Sequence, residues 1–143
     1  MTREVYSGRL KLDGEEHERT LLAANNYAFS LMKLERFEEA KTLLRRMLPV
    51  ARRVLGESDG LTLKLQSINA ASLHRDPGAT LDEIHEAMKV LEDTERTARR
   101  VLGGAHPLTT VIDRSLREAR AALAVRDGDV SSVCEAMEAM TPA

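Results

Sequence analysis

Cysteine, tryptophan and long apolar runs are what this chain most lacks. Its 143 residues hold 1 Cys and 0 Trp. Cys134 alone forms no internal disulfide and completes no CxxC pair, so oxidative stapling and dithiol chemistry both lose support. A reducing compartment follows, the cytoplasm by default, with an organelle reached after transit-peptide removal left open. No stretch approaches the roughly 18 consecutive apolar residues of a membrane span, and Met1 to Leu12 has no apolar core of signal-peptide length. Tyr6, Tyr27, Phe29 and Phe37 are the only aromatics, which leaves everything beyond them without a side chain that stacks on a base. Lys and Arg number 21 against 23 Asp and Glu, so no global excess of positive charge invites nucleic acid either. The one single-sign segment is Asp127 to Ala143, with Asp127, Asp129, Glu135 and Glu138 and no base.

What is present is repetition. Arg52-Arg53-Val54-Leu55-Gly56 returns as Arg99-Arg100-Val101-Leu102-Gly103, and from each glycine a Thr lies six residues on, as Thr62 and Thr109. The same spacing occurs earlier, from Gly14 to Thr20. His17, Asp59 and His106 share the third position of this loop, which argues that the two histidines cap helices. Between the loops the apolar spacing is helical. Leu21, Ala24, Ala28, Leu31 and Leu34, then Phe37, Ala40, Leu44, Met47, Ala51 and Val54, predict one hairpin, with a kink or a break at Pro49. Leu61, Leu65, Ile68 and Leu73, then Leu81, Ile84, Met88, Leu91, Ala98 and Val101, predict a second, turned by Asp76-Pro77-Gly78. Leu108, Ile112, Leu116, Ala119 and Leu123 predict a further helix, and Val130, Val133, Cys134, Met137 and Met140 a short terminal one.

A period in the forties fits several helical-repeat classes, so the residues at helix crossings decide. Ala28 followed by Phe37-Glu38-Glu39-Ala40, repeated as Ala70 with Ile84-His85-Glu86-Ala87, resembles the tetratricopeptide (TPR) signature of closely crossing helices. Asn25-Asn26-Tyr27-Ala28 and the loop Ala105-His106-Pro107-Leu108-Thr109 are similar to the kinesin-light-chain subtype. Ile68 in place of Asn26 and Arg117 in place of the small crossing residue depart from the pattern. The resemblance implies an all-α fold, a right-handed α-solenoid of two full TPR-like pairs plus C-terminal capping helices. As a single domain it divides into an N-terminal extension over 1–16, repeats over 17–56 and 57–103, a degenerate third-repeat helix over 104–126, and an acidic cap over 127–143. With no helix expected before Gly14, only Val5, Tyr6, Leu10 and Leu12 would cover the first pair, making that N-terminal face an expected site of self-association or of docking in a larger assembly.

Chemistry finds little footing. Glu83, His85 and Glu86 lack the HExxH spacing, since Lys89 stands where the second His belongs, and four scattered histidines form no ligand set. Cys134 lies on an apolar stripe with no basic neighbour, which suits packing rather than attack. The pairs Arg45-Arg46, Arg52-Arg53 and Arg99-Arg100 share their helices with acids, so a mixed solvated face outweighs a phosphate ridge. No enzyme, cofactor or metal is expected. By resemblance, the first helices of the pairs would present a polar and basic groove: Asn25, Asn26, Phe29 and Lys33, with Leu22 and Met32, then Lys64, Ser67, His74 and Arg75, with Ala71, then Arg114. Asn amides suit a peptide backbone and the cations suit acidic side chains, so the expected partner is a protein or peptide, acidic in character, not nucleic acid. The alternative is a small structural subunit held permanently in a larger assembly.

Overall fold

The computed structural model describes residues 2–127, and the expected terminal helix with Cys134 lies outside them. Six helices run in order: α1 (Thr2–Asp13), α2 (Glu18–Lys33), α3 (Phe37–Leu55), α4 (Gly60–His74), α5 (Leu81–Leu102) and α6 (Pro107–Asp127), with no strand among the described residues. The fold is an all-α helical repeat.

Its punctuation is the loop that the sequence repeats three times. Gly14, Gly56 and Gly103 have φ of 80°, 92° and 89°, a region that side chains with a Cβ rarely adopt, so glycine ends each second helix. Three residues on, a side chain caps the next helix: His17 Nδ1 accepts from Arg19 N–H at 3.1 Å, Asp59 Oδ1 from Leu61 N–H at 2.9 Å, and His106 Nδ1 from Leu108 N–H at 3.1 Å. The capping role expected of the histidines is what the structure contains. Three residues further, Thr20, Thr62 and Thr109 are fully buried. Thr20 donates its hydroxyl to Arg9 O at 3.2 Å and Thr62 to Ala51 O at 3.4 Å, each eleven residues back. The Thr109 hydroxyl has no partner; the matching carbonyl, that of Ala98, takes the Gly103 N–H at 3.2 Å.

This register corrects one expectation. Residues 2–13, read as an extension without a helix, form α1, and the Thr20 bond gives α1 the place that α3 holds in the next repeat. Its own apolar pattern is weak, with Gly8 in the middle and only Tyr6 buried. Contacts with its neighbours hold it instead: Tyr6 stacks on Tyr27 with ring centroids 5.8 Å apart and donates its hydroxyl to Met47 Sδ at 3.4 Å.

Two compact units divide the chain, Met1–Ser72 and Leu73–Ala143. In the first, α1 packs on α2 and α2 on α3 around Leu21, Ala24, Ala28, Leu31, Leu44 and Met47. Ala28 and Ala40 are both fully buried, as close helix crossing requires. Pro49 sits inside α3, which continues through it between buried Leu48 and Val50, so no break occurs there. In the second unit α5 packs on α6, with Ile84, Ala87, Leu91, Ile112 and Ala119 buried. The turn into α5 is built as its sequence suggests: Asp76 Oδ1 accepts from Gly78 N–H at 2.9 Å, and Thr80 with Glu83 forms a reciprocal capping box.

Candidate functional site

An amphipathic helix buries one face and leaves the other to water, so the exposed face of α2 depends on which residues its partners take. Leu21, Ala24, Ala28 and Leu31 go inward, which turns Leu22, Asn26, Phe29 and Lys33 outward at helical spacing. Leu22 and Phe29 each keep 51% of their surface exposed, large values for residues of this size. Lys33 Nζ stands 4.7 Å from the Phe29 ring centroid, a cation–π contact that fixes the ring and its charge together. Asn25, at the edge of this face, is half-buried, and its Oδ1 is buried without a hydrogen-bond partner.

The other expected groove residues divide. Lys64 on α4 is exposed, whereas Ser67 and Ala71 are buried. Within the second unit His74 is only 6% exposed, and its Nε2 shares a 3.0 Å hydrogen bond with Ser115 Oγ. Burial, with a smaller push from Arg75, lowers the His74 pKa to about 4, so the ring is neutral near pH 7. Arg75 is exposed but donates to Glu118 Oε2 at 3.0 Å and 3.2 Å, and Arg114 is exposed. His74 is thus a core histidine in its setting, and of the expected groove residues in the first unit Leu22, Asn26, Phe29, Lys33 and Lys64 are exposed.

One arginine of each pair meets an acid: Arg46 pairs with Glu15 and Arg53 with Glu16 at 2.6 Å, both from the loop before α2, and Arg99 with Glu95 of its own helix at 2.8 Å. Among the described residues no three His, Cys, Asp or Glu side chains gather as a metal site would need, and no helix is long and apolar enough to cross a membrane.

Sequence reasoning passed over one feature of the first unit. An open depression of about 390 Å³ lies among α1, α2 and α3, lined by Tyr6, Tyr27, Glu38, Glu39, Leu43 and Arg46 together with Thr42. Burial pushes the Tyr6 pKa up. The available signal was the crowding of aromatics into the first 37 residues, which carries no information about which of them meet.

No curated protein matches the chain. Residues 20–59, which span most of α2, all of α3 and the loop beyond, match the family model described as Tetratricopeptide repeat, and this match supports reading the chain as a tetratricopeptide-repeat protein.

Proposed function

We propose that the chain is a non-catalytic protein-interaction module whose contact surface is the open face of α2, extended by Lys64. Tetratricopeptide repeats generally mediate protein–protein interaction, and the observation that carries this reading here is the pairing of half-exposed Leu22 and Phe29 with the Lys33 ammonium over the ring. Such a face suits a partner segment that offers an apolar side chain beside a carboxylate, with Asn26 available to its backbone. Arg75 and Arg114 supply the same sign of charge on the second unit. Asn25-Asn26-Tyr27-Ala28 and the His106-Pro107 loop support the kinesin-light-chain subtype as the finer assignment.

A benzophenone amino acid placed at Phe29 tests the surface. Irradiation in cell extract should yield a discrete protein adduct that Lys33→Glu diminishes, while the same probe at exposed Arg45 on α3 yields none. Equal labelling from both positions would count against α2 as the contact.

A further inference from the structure

Tyr27 and Phe29 stand two residues apart on α2 and so point to nearly opposite sides of it. The depression that Tyr27 helps to line is therefore a second surface, separate from the face proposed above. Its lining holds the stacked pair Tyr6–Tyr27 and Leu43, together with Glu38 and Glu39 from the first turn of α3. The cations that meet these carboxylates lie off the lining: Lys41 reaches Glu38 Oε1 at 3.1 Å, and exposed Arg36 reaches Glu39 Oε1 at 3.5 Å. Arg46, the one cation of the lining, is itself held by Glu15. An entering group thus meets two aromatic rings and two exposed carboxylates, each shared with one cation at Oε1, while Arg46 on the lining is itself compensated by Glu15.

Register shows that this lining is particular to the first unit. In the other second helices Tyr6 is replaced by Leu48 and Glu95, and in the other first helices Tyr27 is replaced by Asn69 and Leu116. The other repeats close without a tyrosine pair, whereas here the pair also holds α1 against its neighbours.

We propose that this depression receives a cationic side chain, arginine or lysine, from a basic segment of a partner protein, with the cation against the tyrosine pair and its N–H groups toward Glu38 and Glu39. Aromatic rings attract cations through their negative faces, and carboxylates add charge-assisted hydrogen bonds with direction. A guanidinium gains from both at once, which makes arginine the better occupant.

The chain carries its own probe, since its 2 Tyr are Tyr6 and Tyr27 and it has 0 Trp, so intrinsic emission reports this depression and nothing else. Titrating the full chain with acetyl-Gly-Arg-Gly-amide at low salt should give a saturable change in tyrosine emission, weaker with the lysine peptide and absent with the neutral citrulline peptide. Glu39→Gln should weaken the arginine peptide about threefold to tenfold, by loss of one charged acceptor. Its partner Arg36 is exposed, so this variant keeps the fold even if Glu38→Gln, which takes one carboxylate from buried Lys41, does not. An equal response to citrulline, or unchanged affinity in Glu39→Gln, would overturn the proposal.

Discussion

Helices α2 and α6 begin from the same loop and differ in what they turn toward a partner helix. Counting one, four, eight and eleven residues past the buried threonine gives Leu21, Ala24, Ala28 and Leu31 on α2, none more than 2% exposed. The same positions on α6 are Thr110, Asp113, Arg117 and Arg120, with Thr110 and Arg120 exposed and Arg117 paired to Asp113 at 2.7 Å. The loop therefore decides where a helix starts, and the stripe decides whether that side of it is covered. α4 follows α2, with Leu63, Ala70 and Leu73 buried at these positions. On α6 the stripe is polar and charged, with Thr110 and Arg120 exposed.

Exchanging residues at the eighth position breaks the comparison most severely. Ala28→Arg puts a charge where two helices cross at contact distance, with neither space nor a counter-ion, and should destabilise by about 3 to 5 kcal/mol. Arg117→Ala loses a half-exposed ion pair and should stay within about 0.5 kcal/mol of the parent. Urea denaturation of both variants checks this. Similar losses in the two would mean that α6 buries its stripe as α2 does.

The twelfth position sharpens it. Met32 is half-buried there on α2, whereas α4 places His74 in the interior against Ser115. Because the folded pKa is near 4 and the unfolded value 6.5, only the unfolded chain takes up a proton between those pH values. The contribution of neutral His74 is complete above pH 6.5 and is lost as pH falls toward 4, a decline on the order of 3 kcal/mol. Thermal unfolding from pH 7 to pH 4 should show this slope, and His74→Gln should remove it. A slope that survives the substitution assigns the acid sensitivity to other groups.

Much of the frame was legible because it depends on local chemistry. A positive-φ glycine, a capping side chain three residues on and a buried threonine three further each leave a residue type behind, and Gly14, Gly56 and Gly103 carry all of them. The burial of the small residues Ala28 and Ala70 was legible for the same reason. α1 was not, because it holds few apolar residues and owes its helix to Tyr27, Met47 and Thr20, which lie far along the chain. The outward face of α4 was hidden differently. Leu61, Leu63, Leu65, Ile68, Ala70, Ala71 and Leu73 go nearly all the way round it, so no periodicity marks one side as open, and Ser67 and His74 were assigned outward from resemblance alone. The tyrosine depression joins three helices and has no linear signature.

The sixth loop position offers the smallest and cleanest contrast. Thr62 and Thr109 are equally buried and equally placed, yet only Thr62 finds an acceptor, the Ala51 carbonyl. Valine has the shape of threonine without the hydroxyl, so the substitution removes the hydrogen-bonding group and little else. Thr62→Val should cost about 1 kcal/mol, because it breaks a buried bond and leaves the carbonyl short of a donor. Thr109→Val removes a hydroxyl that gave up water and gained nothing in return, and should be neutral or stabilising by up to about 1 kcal/mol. Paired denaturant melts resolve a difference of that size when m is unchanged. Equal destabilisation by the two substitutions would mean that the Thr109 hydroxyl is bonded in solution, and that all three loops close in the same way.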